Sequence, residues 1–392
     1  MQVSWEKARE FAPGFAIVFG ALAGIFPYLW HWDKLITRDW PYFLALALVN
    51  RSNILSYGTF PPHDPWVSGG ADVLANPQSR MLSPSFLLEL SLPPYPALLA
   101  ILFVYGAVGA WGMYRLLRDY DASKLVATTV ALFFVNSSWF GLHFAEGHFA
   151  YPAFMLFPWL LYASRGIHEP RRQLLMCGLF AFFVIDGAMY SFIFGLYMLP
   201  FLIVIDWDAW LQLVREWRQH TLRLVGMVVG AGLIAAAKAI PVLAIHGSRP
   251  PDLDRLTIPP ESLLYILFYP FQSFASRGEV PGLRWGFHEY GCYIGVVALV
   301  AALASLIPRE HRMRGALYLV SAAFFLFTAS GLGGAWDPWL LIHEIPFLNQ
   351  AHVQSRLTII FFTLFCAAAG LGLTTIQNKK WLIIVVCAFL VV

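Results

Sequence analysis

A polytopic all-α membrane protein follows from how this chain distributes its charge. Charged residues make up only 12% of the sequence and hydrophobic residues 59%, whereas a soluble domain carries roughly 25% charged residues. The mean hydropathy is +0.63. The charge deficit runs the whole length of the chain, which excludes a soluble protein on a single anchor. Apolar runs recur at the length needed to cross a hydrocarbon core of roughly 30 Å, with short basic segments between alternate runs.

Taken in order, the first run, 11–31, is long enough to span and is followed by no small-residue cleavage site. It reads as a retained helix rather than a cleavable leader. Further runs lie at 95–114, 125–142, 149–164, 173–187, 189–206, 223–243, 290–307, 315–331 and 357–375, and the last starts at 381. That makes about 11 transmembrane helices, each expected from apolar length alone. The final piece, Trp381–Val392, would give about 18 Å of helix at 1.5 Å per residue, so the chain is expected to end inside a span. No internal repeat stands out, and the whole of 1–392 reads as one transmembrane domain.

Lys and Arg set the orientation, because positively charged short loops stay cytoplasmic. With the N-terminus inside, the cytoplasmic pieces hold Lys7 and Arg9; Arg115, Arg118 and Lys124; Arg165, Arg171 and Arg172; Arg215, Arg218 and Arg223; Arg309, Arg312 and Arg314; and Lys379 and Lys380. The other side carries fewer basic residues over much longer loops. Two of those loops are large, 32–94 and 244–289, and both are expected outside the cytoplasm. A multi-pass protein with a cytoplasmic N-terminus is expected.

A net charge of +3 without any Lys/Arg run argues against nucleic acid as a partner. The cysteines Cys177, Cys292, Cys366 and Cys387 lie in or beside apolar runs with no CxxC or zinc spacing, so neither a disulfide framework nor a zinc site is expected.

The loop 32–94 is long, and ordered loops of that length are usually functional. Its tryptophans, prolines and glycines mark it as folded. Asp39 stands in TRDWPY, a few residues past the first span, where a carboxylate can serve as a general base in a partly dry cleft. The plainer role for it is a helix cap or a solvated loop charge. Next come His63, Asp64, Pro65, Trp66 and the pair Gly69-Gly70. Asp64 is a second acid candidate and Trp66 a surface for stacking on a sugar or isoprenoid, while the prolines and glycines equally make a turn cluster. LSPSFLLELSL has the pattern of a short interfacial helix, as does ESLLYILFYPFQSF in the second large loop.

A shorter outward piece holds His143, Glu146, Gly147 and His148. The histidines are candidate metal or phosphate contacts; hydrogen-bonded interfacial histidines are the bland alternative. Lys238 lies inside an apolar run, GAGLIAAAKAIPVLAIH, where a charge is functional by default unless it snorkels to the surface. Arg249 and Glu289 belong to the second large loop. Arg356 enters a span, where it suits phosphate recognition or a salt bridge equally.

In order and sidedness these segments resemble the GT-C class of membrane glycosyltransferases, in particular its YfhO-like bacterial branch. The resemblance rests on Asp39 soon after the first span, on PPHDPWVSGGADVLANPQSRMLSPSFLL, on EGHFAYPAFMLFPWLLYA, on HEYGCYIGVVALVAAL and on PFLNQAHVQSRLTIIF. It covers 30–165 well and 285–365 loosely. Lys238 has no place in the pattern, and the usual C-terminal extension is absent.

The resemblance implies transfer of a sugar from a polyprenyl-phosphate donor to an extracytoplasmic acceptor glycan, lipid or protein, with inversion at the anomeric carbon. Asp39 would be the base, with Asp64 as a second catalytic candidate. Trp66, Glu146, His148, Lys238, Arg249, Glu289 and Arg356 would contact substrate, the cations among them facing the leaving phosphate. The aromatic spans would lodge the isoprenoid tail, and membrane lipids would surround the bundle. No cofactor is firmly implied, and a divalent metal is left open. Two other readings stand beside it: a non-catalytic GT-C-like subunit or assembly factor, and a lipid-linked-sugar transporter or flippase. The latter would favour inverted repeats and broken mid-membrane helices.

Overall fold

The long apolar runs form helices, and helices fill the fold. The computed structural model describes residues 5–30, 38–60, 63–65, 70–246, 257–272, 283, 285–345 and 348–376. Helix accounts for 75% of it, with almost no sheet. Seven helical stretches among the described residues are long and apolar enough to cross a membrane: Glu10–Trp30, Pro94–Arg118, Lys124–Glu146, His220–Ile245, Phe287–Ala304, Arg312–Ser330 and Gln354–Leu373. An eighth is a pair, Met189–Ile205 and Trp207–Arg215, bent by 87°.

We number the helices that matter here as α1 (Trp5–Trp30), α2 (Trp40–Leu55), α3 (Phe86–Ser91), α4 (Pro94–Arg118), α5 (Lys124–Val135), α6 (Ser138–Glu146), α7 (Phe157–Arg165), α8 (Pro170–Ile185), α9 (Met189–Ile205), α10 (Trp207–Arg215), α11 (Trp217–His246), α12 (Pro260–Phe268), α13 (Phe287–Tyr290), α14 (Gly295–Ala304), α15 (Arg312–Ser330), α16 (Pro338–His343) and α17 (Thr358–Leu373). The runs at 149–164 and 173–187 come out shorter than a span. Pro152 and Pro158 sit at the starts of a 3-10 turn, Pro152–Leu156, and of α7, where a missing amide hydrogen costs no helical bond. The sixteen residues of α8 give about 24 Å of helix. The run from 381 lies outside the described residues.

Helix α17 is the hub. Every one of its residues is buried, and it packs on α4, α5, α14 and α15. Small residues permit that closeness: a Cβ on Gly372 would stand 1.7 Å from the Ala301 carbonyl oxygen of α14. Helices α1 and α11 lie at the periphery, α1 against α4 and α5 and α11 against α8.

The loop after α1, over its described residues, contains α2, a helix that the acids and prolines around it obscure in the sequence. It also holds a two-stranded hairpin, β1 (His63–Asp64) with β2 (Ala71–Asp72), and α3, which falls within LSPSFLLELSL. Buried bonds tie the loop to the bundle. The Ser83 and Ser85 hydroxyls donate to Asp186 Oδ1 at 2.6 and 2.9 Å, with Arg80 Nε 3.8 Å from Asp186 Oδ2. Lys238 Nζ donates to the Asn76 carbonyl at 2.6 Å.

Candidate functional site

Asp39 occupies the N-cap position of α2, yet its side chain makes no capping hydrogen bond. Its main chain does the local work. The Asp39 carbonyl accepts from the Tyr42 and Phe43 amides, and the Asp39 amide donates 2.9 Å to the carbonyl of Glu146 at the end of α6. Trp40, fully buried, adds a bond from Nε1 to the Phe144 carbonyl at 3.0 Å and an edge contact on Phe149. Gly147 makes this approach feasible. It ends α6 at φ +99°, and a Cβ there would stand 2.5 Å from the Trp40 amide nitrogen. The capping role weighed for Asp39 therefore does not use its carboxylate.

The carboxylate instead faces a chain of polar side chains drawn from five parts of the sequence. Asp39 Oδ2 is 3.5 Å from His148 Nε2, and that nitrogen is 3.8 Å from Glu289 Oε1 on α13. Arg356, just ahead of α17, grips Glu289 with two bonds, Nε to Oε2 at 3.0 Å and Nη2 to Oε1 at 2.7 Å. Its Nη1 donates to the Tyr190 hydroxyl at 3.3 Å, and the guanidinium lies over the rings of Tyr151 and Tyr190. Tyr190 in turn bonds His352 at 2.8 Å. His148 Nδ1 meets His143 Nδ1 at 2.8 Å. Beside them, Arg38 Nη1 is 3.8 Å from Glu146 Oε2.

Exposure separates these groups. Glu289 and Arg356 are nearly buried, whereas the Asp39 side chain is 56% exposed. Partial burial pushes the Asp39 carboxyl above its ordinary range; Glu289 adds to the rise and Arg356 opposes it. Burial drives His148 down to about 3, against the pull of Glu289 and with help from Arg356 and His288. The ring is neutral at physiological pH. An accessible carboxylate with elevated basicity, flanked by a neutral imidazole and a closed ion pair, has the properties of a general base.

A cavity of about 640 Å³ opens on the neighbouring side of α6. Gly20, Gly24 and Tyr28 of α1 form one wall, with Phe140, Gly141, Phe144 and Ala145 of α6 opposite. Polar side chains line it near the interruption between α5 and α6, at Asn136, Ser137 and Ser138, and at Tyr28, Gln272 and Tyr293. Its volume falls within the common range for ligand sites, about 300–1,000 Å³.

Six of the residues singled out in the sequence thus meet here: Asp39, His143, Glu146, His148, Glu289 and Arg356. Two are placed apart. Asp64 is buried in β1, whose neighbour His63 is held to α2 by Asn53. Lys238 is buried beneath the first loop, bonded to the Asn76 carbonyl. Its amine is thus turned to the loop backbone and not to the Asp39 cluster. Arg356 is likewise engaged by Glu289, the salt-bridge alternative. Trp66 and Arg249 lie outside the described residues. Arg38, Tyr151, Tyr190, His288 and His352 were not picked out as site residues. Only Arg38, adjacent to Asp39, carried a local signal; the others are assembled by the fold. Among the described residues, no group of three or more His, Cys, Asp or Glu is arranged to hold a metal. No protein-family model, curated protein or solved structure matches this chain.

Proposed function

We propose that this chain is an integral-membrane glycosyltransferase of the GT-C kind. In this reading it lies in a bacterial plasma membrane with about eleven spans, a cytoplasmic N-terminus and the Asp39 cluster outside. The acceptor hydroxyl oxygen attacks the anomeric carbon of a polyprenyl-phosphate sugar as Asp39 removes its proton. The bond from that carbon to the phosphate oxygen breaks, the phosphate leaves with the electron pair, and the configuration inverts. The apolar cavity between α1 and α6 takes isoprene units of the donor. Arg38 is the cation next to Asp39 with a partly exposed side chain, and stabilises charge on the departing phosphate.

One observation carries this reading: the Asp39 carboxylate is exposed, raised in basicity and left out of the helix cap it sits beside. Purified protein in liposomes is to be supplied with polyprenyl-phosphate sugars and candidate acceptors, and compared with Asp39→Asn and Asp39→Ala. Transfer in the wild type with a loss of about 10²- to 10⁴-fold in both variants, the usual weight of a general base, is the expected result. Undiminished transfer in either variant removes Asp39 from the chemistry. Donor binding without transfer in the wild type favours the non-catalytic subunit, and movement of intact donor across the bilayer favours the flippase.

A further inference from the structure

The two histidines at the end of α6 share one proton position. His143 and His148 are both buried, and their Nδ1 atoms are 2.8 Å apart. A bond of that length between two imidazoles needs a hydrogen on one nitrogen and a lone pair on the other. The main chain holds the rings in this arrangement, because the His148 amide donates to the His143 carbonyl at 3.0 Å. Ring contacts limit rotation: His143 lies 4.1 Å from the Trp139 ring centroid and meets Tyr151 edge-on at 5.2 Å.

The far side of His148 favours one placement of the hydrogen. Its Nε2 faces Asp39 Oδ2 at 3.5 Å and Glu289 Oε1 at 3.8 Å. Glu289 is ionised against Arg356 in a bidentate pair. A lone pair on Nε2 would confront two carboxylate oxygens, and only a proton on Asp39 would relieve it. An N–H there is attracted by both acids. The hydrogen therefore belongs on Nε2, which leaves Nδ1 of His148 as an acceptor.

We propose that His143 is a positioning residue: its Nδ1–H donates to His148 Nδ1 and so keeps the His148 proton on Nε2, facing Asp39. In the opposite tautomer Asp39 must carry a proton and is lost as a base. The catalytic consequence rests on the glycosyl-transfer reading; the tautomer does not.

The tautomer is read directly by two-bond ¹H–¹⁵N correlation spectra of ¹⁵N-histidine-labelled protein in nanodiscs near neutral pH, without any donor lipid. The expected pattern is His148 protonated on Nε2 and His143 on Nδ1; His148 protonated on Nδ1 overturns the proposal. In transfer assays, His143→Phe should lower kcat by about 10²-fold, the lower end of acid–base contributions, and move the rising limb of the pH profile upward. His143→Asn, whose amide can still donate, should keep kcat within about threefold and the pH profile unmoved, as required of a hydrogen-bond donor. A His143→Phe variant with wild-type kcat and pH profile refutes the positioning role. Should the phenylalanine variant fail to fold, the wild-type spectrum and His143→Asn still decide. A wild type that transfers no sugar refutes the enzymatic reading alone, while the spectrum continues to judge the tautomer.

Discussion

Two aspartates at opposite ends of α4 receive opposite treatment. At its C-cap, Asp119 accepts from Arg165 Nε at 2.7 Å and from Arg172 Nη2 and Nη1 at 3.0 and 3.1 Å. Each guanidinium also covers a tyrosine ring, Arg165 on Tyr120 at 3.8 Å and Arg172 on Tyr162 at 4.2 Å. Burial would raise the Asp119 carboxyl, but bonds and charge from Arg172 and then Arg165 prevail and hold it below its ordinary value of 3.8. At the other end, Tyr95 near the start of α4 bonds the Tyr28 carbonyl of α1, and beyond this junction lies Asp39. There the nearest partner is a neutral imidazole, the cation is engaged by Glu289, and the carboxyl is raised instead of lowered. A saturated carboxylate is a fastener. One left short of partners by its own neighbours is available for chemistry, and the contrast requires both to be read from their surroundings.

The sharpest way to break this contrast is Asp39→Asn, which should abolish nearly all transfer, about 10²- to 10⁴-fold, with an unchanged melting temperature. A melting temperature that falls together with activity would make Asp39 a fastener too. Next in size, Arg356→Leu strands a buried Glu289 and should cost about 3–5 kcal/mol of folding stability, as expected for half of a buried ion pair. Thermal unfolding in detergent reads it, and Glu289→Gln together with Arg356→Leu should recover part of the loss. Gly147→Ala should cost about 1–3 kcal/mol from a left-handed backbone position and contact with the Trp40 amide, with a parallel loss of transfer because Asp39 moves.

The smallest change is expected at the opposite end. Asp119→Asn should cost about 1–2 kcal/mol, a partly exposed bond to charged donors, and leave transfer untouched. Its pH signature has a definite sign. Because the folded value lies below 3.8, the Asp119 contribution is complete above that pH and is lost as pH falls through the folded value. Wild-type protein should therefore shed stability in acid across that window, and Asp119→Asn should shed less. An equal acid slope in both proteins would show that Asp119 is no fastener.

The membrane class was legible because a missing charge complement is a property of the whole chain and survives any local error. The long, uninterrupted spans were legible for the same reason. Residues 149–187 were not, since prolines at 152 and 158 divide an apolar run into short helices that hydropathy alone cannot distinguish from one crossing. Helix α2 was hidden because a partly buried apolar helix in a loop shares its composition with a span yet is flanked by turn residues. At the site, His148 and Glu146 could be found from their adjacency in EGH, and Arg356 from its place at a helix mouth. The pairing of Arg356 with Glu289, 67 positions away, could not, because only the packing of α13 beside the turn that precedes α17 creates it. The same holds for Lys238: its intramembrane position was plain, but the Asn76 carbonyl that accepts its hydrogen bond is supplied by a loop 162 residues earlier.

The bond from the Asp39 amide to the Glu146 carbonyl has an engineering consequence. A peptide oxygen cannot be removed by changing a side chain, so Glu146→Gln alters the charge there while the main-chain bond beneath Asp39 is still made. Charge around the reactive group and its register on the scaffold are thus independent variables, which makes position 146 a dial for retuning the site without dismantling it.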